Sequence, residues 1–445
     1  MKCHVATFGC RVNQADAEAL LGELERARFQ FTSTHEDADL VVIQSCTVTH
    51  RSDADIRKLV SRIERENPRA KVIVAGCYAQ RDPAAVSALS GVHGVVGHAS
   101  AAEVSDVVAR VFDSSEALPI VAHRELDAIA PEDLPPVDPV TVLHDRTRPF
   151  VKIQDGCDAH CTYCIIPAVR GRARSARHAE VVRAVETLVL KGYFEIVLAG
   201  VHLGTYSDDG VGLTELVEEV LAVPGLGRLR LSCIEPMAFP MAIADLATHN
   251  PKLAPHFHLP LQSGSDSILK KMGRPYRGAD YIETLQEIRR KVPRVCLGTD
   301  VIVGFPGESS DDFEATKRVC ADSVDYVHAF SYSARAGAAS TRLAGKIDPL
   351  TIKTRNAELR ALSDRLFARH LEAQVGRALP VITLSAGDRD TEALSDNYCP
   401  VRIEGVSLPA NLAILIAPTH REGRTLVATH LSSELPPLAP NRAHA

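Results

Sequence analysis

Three cysteines that lie close together in the chain have the spacing of a metal site. They are Cys157, Cys161 and Cys164, called here the loop cysteines. Their thiolates suit an iron–sulfur cluster in which one iron keeps no protein ligand, and such an open iron can bind a substrate or a cofactor. The alternative is a closed zinc site completed by His160. Because His160 is adjacent to Cys161 and no second pair of ligands follows, the spacing favours the iron–sulfur cluster.

Three further cysteines occupy equivalent positions in a repeating pattern. Cys10, Cys46 and Cys77, called here the edge cysteines, each follow a short apolar run that is typical of a buried strand. The carboxyl ends of parallel strands meet at one edge of an open sheet, where ligands bind. We therefore expect the edge cysteines to form a second iron–sulfur site with an open iron. The alternative is that each is an ordinary buried thiol.

The elements that must position these cysteines predict an α/β protein in four parts. Residues 1–112 alternate strands and helices, which predicts a doubly wound parallel sheet. Residues 113–147 are rich in proline and predict a linker. Residues 148–375 repeat strand and helix and predict a complete or partial TIM-type barrel, with its active site at the carboxyl ends of the strands. Residues 376–435 predict a small all-β barrel.

Length and composition limit the kind of protein. A chain of 445 residues, 45% of them hydrophobic, is long enough for several packed domains. The sequence begins without a charged leader and apolar core and has no apolar run of membrane-spanning length, so we expect a cytoplasmic protein. In that reducing compartment, eleven cysteines indicate metal ligands or catalytic groups rather than disulfides.

The charge pattern is uneven. A formal net charge of −6 argues against a uniformly basic surface that binds nucleic acid without selectivity. Basic residues are nevertheless concentrated in the stretch 335–369 and just after the loop cysteines, at Arg170, Arg172, Arg174 and Arg177. Such groups can contact phosphates. The alternative is a solvated helix face with salt-bridging arginines.

Several motifs together resemble one enzyme family. The segments 155–167 and 170–172 are similar to the cluster loop of the radical S-adenosylmethionine methylthiotransferases. That family also has a three-cysteine N-terminal domain and a C-terminal TRAM barrel, so the resemblance extends over nearly the whole chain. The segments 259–266, 299–308 and 332–337 resemble parts of the same central barrel.

Three other segments resemble one branch of the family. Residues 9–14, 200–206 and 234–236 are most similar to the enzymes that act on N6-threonylcarbamoyladenosine at tRNA position 37. The relatives that modify isopentenyladenosine in tRNA, or an aspartate of a ribosomal protein, usually differ there. Ala338, where the family often has threonine, and a weakly basic C-terminal tail depart from the family pattern. These departures concern RNA affinity more than chemistry.

The resemblance implies two 4Fe-4S clusters and two S-adenosylmethionine molecules. The loop cysteines would hold the cluster that binds S-adenosylmethionine and generates a 5′-deoxyadenosyl radical, which removes the hydrogen from C2 of the adenine. The edge cysteines would hold an auxiliary cluster that carries the sulfur to be inserted. A second S-adenosylmethionine would methylate that sulfur.

The resemblance also implies binding residues and partners. The residues near S-adenosylmethionine would include Tyr163, Gln262, Ser263, Gly304 and Glu308. The residues in contact with RNA would include Arg335, Lys353 and Arg355. The expected partners of a monomeric protein are the tRNA anticodon stem-loop and an electron donor such as a flavodoxin or ferredoxin, without a membrane. Two other hypotheses are a radical enzyme with only the loop cluster and a non-catalytic, zinc-stabilised RNA-binding protein.

Overall fold

The computed structural model describes residues 1–98, 101–113, 119–122 and 147–429. Within these ranges, three regions of β-sheet follow one another along the chain. None of the helices described there is both long and apolar enough to cross a membrane. Most of the predicted linker, and the last residues of the predicted C-terminal barrel, lie outside the described residues.

The first region is a parallel sheet with helices on both faces. Its strands are β1 (Lys2–Thr7), β2 (Gln30–Phe31), β3 (Leu40–Ser45), β4 (Lys71–Gly76), β5 (Val92–Val96) and β6 (Ile120–Ala122). They lie in the order β2-β1-β3-β4-β5-β6, and all neighbours are parallel. The helices are α1 (Arg11–Arg26), α2 (His50–Glu66), α3 (Cys77–Arg81), α4 (Pro83–Ser87) and α5 (Ala101–Asp113). The predicted doubly wound sheet is confirmed.

The central strands of this sheet are apolar on both faces because helices cover both. Leu40 and Val42 of β3 pack into one apolar cluster, and Val41 and Ile43 pack into another on the opposite face. Strand β6 lies inside the segment predicted as a linker. Its three residues are too few to show a periodic pattern, so this strand of the sheet could not be predicted from the sequence.

The second region contains the strands predicted for a barrel. They are β7 (Phe150–Asp155), β8 (Arg174–Ser175), β9 (Glu195–Gly200), a hairpin of β10 (Ser207–Asp208) and β11 (Val211–Gly212), β12 (Arg228–Leu231), β13 (His256–His258), β14 (Cys296–Val303) and β15 (Tyr326–Ser331). The helices are α6 (Ile166–Arg170), α7 (His178–Leu190), α8 (Leu213–Leu221), α9 (Met241–His249), α10 (Asp266–Met272), α11 (Gly278–Lys291) and α12 (Ser310–Ser323). Short 3₁₀ turns span Leu203–Thr205, Pro236–Ala238 and Ala339–Arg342.

Six of these strands form a continuous parallel series, as an open barrel requires. Parallel pairing joins β7 to β9 and β9 to β12, and likewise β13 to β14 and β14 to β15. Isolated parallel bridges link the two groups, one of them between Cys233 and His258. The carboxyl ends of the six strands therefore lie at one end of the open barrel, and the space there is called here the lumen.

The third region begins with the long helix α13 (Pro349–Glu372) and continues as a sheet. The strands are β16 (Leu379–Ala386), β17 (Thr391–Ser395), β18 (Pro400–Ile403), β19 (Ala413–Ile416), β20 (His420–Glu422) and β21 (Thr425–Ala428). Their order is β19-β16-β17-β18-β21-β20. All pairs are antiparallel except β18 with β21. The third region is thus all-β beyond its leading helix, as predicted.

A buried arginine joins the first sheet to the barrel. Arg170, at the end of α6, is 1% exposed. Its guanidinium donates to Asp155 of β7 at 2.9 Å, and to Asn13 and Asp16 of α1 at 2.8 Å each. Lys152 of β7 extends the network, because its ammonium group lies 2.5 Å from Asp16 and 3.1 Å from Asp155.

The network keeps its central carboxylate ionised. Burial alone would raise the pKa of Asp155, but Arg170, Lys152 and His98 outweigh burial and hold the pKa well below its ordinary value. The His98 ring lies 3.0 Å from the same carboxylate. Asp155 is therefore bound by groups from both halves of the molecule, and its charge ties them together.

A second buried ion pair joins the same two regions elsewhere. Arg335, just after β15, donates to Asp53 of α2 at 2.7 Å and to the Thr47 hydroxyl at 2.6 Å. The ring of His50 contacts the Ala334 carbonyl at 2.8 Å. The first sheet is thus held against the open barrel at two separate points.

A third buried network joins the barrel to the C-terminal sheet. Glu195, at the start of β9, accepts hydrogen bonds from Arg228 at 3.1 Å and from Arg230 at 2.8 Å. The same two arginines donate to the backbone carbonyls of Pro380 and Ser395, each at 3.1 Å. Burial alone would raise the pKa of Glu195, but the arginines outweigh burial and lower it to about 2.

The Glu195 network predicts a pH-dependent stability. Glu195→Gln leaves two buried arginines without their carboxylate, and should reduce the free energy of unfolding at pH 7 by about 3–5 kcal/mol. The wild-type contribution is complete above the ordinary glutamate pKa and is lost as the pH falls through the folded value of about 2. Chemical denaturation followed by circular dichroism measures the difference, which should shrink as the pH falls below the ordinary value. Glu186→Gln, on the exposed side of α7, is the control, and a variant as stable as wild type at pH 7 would contradict this account.

The Arg170 network predicts a second stability effect. Arg170→Gln should lower the free energy of unfolding by about 3–5 kcal/mol, because Asp155 loses its main cation and Asp16 loses one of its two cations. Arg172→Gln is a matched control, since this side chain lies two residues away and is 89% exposed. It should change stability by less than about 0.5 kcal/mol. Denaturation curves, with limited proteolysis of the contact between α1 and β7, distinguish the two variants; equal effects would show that Arg170 does not hold the interface.

Candidate active site between two cysteine groups

The edge cysteines lie at the carboxyl edge of the first sheet. Cys46 directly follows β3, Cys77 directly follows β4, and Cys10 precedes α1 beyond the end of β1. Gly9 has a φ of +97°, and a Cβ at this position would lie 2.5 Å from the Cβ of Cys46. Only glycine permits this close approach, which brings the turn before Cys10 against Cys46. The structure thus brings the three thiols together.

Asn13 organises this edge, and sequence reasoning gave it no role. Its side-chain amide donates to the carbonyls of Phe8 at 2.7 Å and Ser45 at 2.8 Å, which ties the ends of two strands together. Its carbonyl oxygen accepts from Arg170 at 2.8 Å and lies 3.8 Å from the Cys77 sulfur. The sequence signal that could have identified Asn13 is its position three residues after Cys10, inside the motif 9–14.

The loop cysteines lie between β7 and α6. The loop begins at Gly156, whose φ is +70° and where a Cβ would clash with the backbone of Arg172. Backbone amides donate to two of the sulfurs, from Ala159 to Cys157 and from Ile166 to Cys164, each at 3.4 Å. Donors that face the sulfurs stabilise the charge that thiolate ligands carry.

Arg274 completes the surroundings of the loop cysteines. Its guanidinium donates to the Cys161 sulfur at 3.3 Å and forms an ion pair with Glu235. The pair is tight enough that the pKa of Arg274 is raised by Glu235 despite the opposing effect of burial. Glu235 lies in the motif 234–236, but no sequence pattern pointed to Arg274.

Burial opposes the ionisation of four of these six thiols. Burial raises the pKa of Cys77 and of Cys164 to about 12, and it also raises the pKa of Cys46 and of Cys157. Thiols in such surroundings remain protonated at neutral pH unless a metal binds, and metal binding then releases their protons. This behaviour suits resident metal ligands and does not suit free nucleophiles.

The donor set of each cysteine group, three thiols, fits a cluster with an open iron better than a closed zinc site. A tetrahedral zinc ion holds its ligand atoms within about 4 Å of one another. In the part of the chain that the structure describes, three groups of His, Cys and acidic side chains have ligand atoms within 4.8 Å, and neither cysteine group is among them. His160, the predicted fourth zinc ligand, is exposed. The residues present therefore fit iron–sulfur clusters.

An apolar contact joins the two cysteine groups on one side. Cys77 packs with Ile165 and Val169, which follow Cys164 in the loop and in α6, and Ile166 lies against them. Helices α3 and α6 are thus in direct contact. The apolar contact and the Arg170 network set the relative positions of the two groups from two sides.

Both groups approach the lumen near Cys233. This cysteine follows β12 and is partly exposed. It lies within electrostatic range of Asp300 of β14, of Arg11 and Cys10 on the first sheet, and of Glu235. Glu235 in turn acts on Cys157 and Cys164. Groups near both sets of cysteines therefore meet around Cys233, in the lumen.

The residues predicted to bind S-adenosylmethionine line two turns of the barrel. Gln262 has a φ of +68° and its backbone amide donates to the Asp300 carbonyl at 2.8 Å. The Ser263 hydroxyl lies 3.3 Å from that of Thr316. Tyr163 is partly buried beside Met272.

Gly304 and Glu308 form one closed turn after β14. The Gly304 amide donates to the Glu308 carboxylate at 2.8 Å, and Arg355 pairs with the same carboxylate at 2.7 Å. This turn holds α13 against the barrel. The Glu308 carboxylate and the Arg355 guanidinium thus form an ion pair with each other.

Two of the three predicted RNA contacts are buried within the protein. Arg335 pairs with Asp53 and Arg355 pairs with Glu308, so neither guanidinium faces solvent. Lys353 is exposed on α13. Among the arginines after the loop cysteines, Arg170 and Arg174 are buried in the Asp155 network, whereas Arg172 and Arg177 are exposed. Sequence alone does not show which arginines already have carboxylate partners inside the fold.

Comparisons with known proteins match both halves of this site. Residues 2–97 match the family model described as "Uncharacterized protein family UPF0004", and residues 151–320 match that of the radical SAM superfamily. A radical S-adenosylmethionine methyltransferase, TsrM from Kitasatospora setae, has a similar fold, with a TM-score of 0.55 at 14% identity over 87% of this chain and 79% of that chain.

Several known proteins are similar in sequence to this chain over most of its length. The threonylcarbamoyladenosine tRNA methylthiotransferase MtaB of Aquifex aeolicus is 34% identical over 91% of this chain and 97% of its own length. The protein of the same name from Bacillus subtilis is 33% identical over 90% of this chain and 89% of its own. A tRNA-2-methylthio-N(6)-dimethylallyladenosine synthase of an Arthrobacter species is 31% identical over 91% of this chain and 78% of its own. The resemblance inferred from the motifs is confirmed, and the chain belongs to the radical S-adenosylmethionine tRNA methylthiotransferase family.

Proposed function

We propose that this protein converts N6-threonylcarbamoyladenosine at position 37 of tRNA to its 2-methylthio derivative. The observation that carries the proposal is the direct contact between the two cysteine groups, through Cys77 against Ile165 and Val169, in a chain 34% identical to a threonylcarbamoyladenosine tRNA methylthiotransferase. The reaction needs a hydrogen atom removed from an unactivated aromatic carbon, which no protein side chain can do by itself.

The cofactors supply the reactivity. When bound, the cluster on the loop cysteines with S-adenosylmethionine supplies the radical, and the cluster on the edge cysteines supplies the sulfur that a second S-adenosylmethionine methylates. The protein holds these groups at fixed positions. Arg274 and the amides of Ala159 and Ile166 support the loop sulfurs, and Asn13 supports the edge.

The remaining residues keep the reaction geometry and exclude water. Arg170 fixes the first sheet against the barrel, so that the distance between the two cysteine groups is set by a buried ionic network. The contact of Cys77 with Ile165 and Val169 excludes water from one side of the space between the two cysteine groups. A dry, rigid site protects a radical from side reactions.

The proposed partners are the anticodon stem-loop of tRNA and a small electron-transfer protein such as a flavodoxin or ferredoxin, with the enzyme acting as a monomer. We assign the region 376–435 to a TRAM-like RNA-binding domain. Lys353 is the member of the predicted RNA contacts that is free to reach the tRNA backbone, because it is exposed on α13.

Cysteine variants test the separate roles of the two proposed clusters. Cys46→Ala should lower the iron content of anaerobically reconstituted protein from about eight to about four atoms per chain and abolish methylthiolation, while reductive cleavage of S-adenosylmethionine continues. Cys164→Ala should lower iron equally and abolish both reactions. Cys320→Ala, at a buried thiol outside both groups, is the control. Wild-type product formation by Cys46→Ala, or bound zinc without sulfide, would refute the two-cluster assignment.

The identity of the substrate is tested by analysis of the nucleosides in the product RNA. Purified enzyme with reductant and S-adenosylmethionine should add the methylthio group to anticodon stem-loop RNA that carries N6-threonylcarbamoyladenosine, and mass spectrometry of the digested RNA should show the product. RNA that carries isopentenyladenosine should react much more slowly. Preference for the isopentenyl RNA would assign the protein to the other tRNA-modifying branch.

A further inference from the structure

Arg11 places a positive charge in the lumen without a matching negative charge. It is the first residue of α1, directly after Cys10. Its Nη2 lies 3.5 Å from the Tyr398 hydroxyl. Its Nη1 is shielded from solvent and has no hydrogen-bond partner among the described residues. Burying an unpaired guanidinium nitrogen is unfavourable, so Nη1 is available to a polar group that enters from outside.

The carboxylates of the lumen have other partners. Asp300 lies 2.9 Å from the ring of His258 and 3.3 Å from that of His328. Glu235 pairs with Arg274. Both carboxylates lie near Cys233, as Arg11 does, yet neither pairs with Arg11. An anion that enters the lumen would therefore find one guanidinium ready to bind it.

Tyr398 holds this guanidinium in place. The tyrosine belongs to the turn between β17 and β18 and has a φ of +69°, which is strained for a residue with a side chain. Its ring stacks on His256 with centroids 4.0 Å apart, and the Arg230 guanidinium lies 5.5 Å from its centre. The C-terminal sheet thus contributes a rigid phenol that orients Arg11.

We propose that Arg11 binds the carboxylate of the threonylcarbamoyl group and so selects the substrate nucleoside. This inference rests on the proposed function. In adenine, C2 and C6 both flank N1. The N6 substituent and the carbon that is modified therefore lie on the same edge of the ring. Arg11 is next to Cys10, whose cluster would deliver sulfur to that carbon. A guanidinium and a carboxylate form a charge-assisted, often bidentate pair, whereas an isopentenyl group would leave Arg11 buried and unpaired.

The test compares two RNAs that differ in one charge. Anticodon stem-loops carry either N6-threonylcarbamoyladenosine or its carboxamide analogue, which is neutral and nearly the same shape. Wild-type enzyme should show a kcat/KM about 10- to 100-fold higher for the carboxylate RNA. Arg11→Gln should lose about that factor with the carboxylate RNA and should not distinguish the two RNAs. Arg11→Lys should keep part of the preference because it keeps the charge.

Controls separate substrate recognition from damage to the neighbouring ligand Cys10. Arg51→Gln, at a side chain 91% exposed on α2, should retain the wild-type preference. The wild-type comparison of the two RNAs needs no variant, and equal efficiency for both would overturn the role of Arg11. A preference that persists in Arg11→Gln would also overturn it. Both of these results leave the proposed function standing, whereas a wild-type enzyme that modifies only isopentenyladenosine RNA would overturn both.

Discussion

The arrangement of this protein depends on a buried ionic contact between two regions that fold as separate sheets. Arg170 connects Asp155 of the barrel with Asn13 and Asp16 of the first sheet. Buried ion pairs add little net stability, since desolvation offsets much of their attraction, but a misplaced partner is strongly unfavourable. The network therefore acts mainly on geometry. It allows one relative position of the two regions, and that position sets the separation of the two cysteine groups.

The site itself is divided among all three regions. The first sheet supplies the edge cysteines, Asn13 and Arg11, and the barrel supplies the loop cysteines with Arg274 and Glu235. The C-terminal sheet reaches the lumen through Tyr398. Buried polar contacts join each pair of neighbouring regions, through Arg170, Arg335 and Glu195. A reaction that needs two clusters and an RNA base in one small space requires this kind of joint construction.

The sequence predicted the doubly wound sheet, the parallel strands of the barrel and the all-β C-terminal region because each has a distinct periodicity of apolar residues. It did not predict β6, whose three residues carry no periodic pattern. Its basic stretches also suggested exposed positions for several arginines that are buried. Arg170, Arg335 and Arg355 stand in basic stretches and suggested contacts with phosphate or solvent, yet each is buried against a carboxylate from another part of the chain. Local charge patterns do not contain the distant partner, so burial of charge is invisible in them.

Residue order alone indicated two sets of three thiol ligands. The spacing of the loop cysteines, and the position of each edge cysteine just after a strand, follow from local residue order, and local order is what a sequence records directly. How the two groups lie relative to each other became visible in the folded chain. It placed Asn13 and Arg274 beside the sulfurs, put Cys233 in the common lumen, and left Arg11 without a carboxylate there. These relations join residues up to several hundred positions apart, and they depend on long-range packing and on which buried charges find partners.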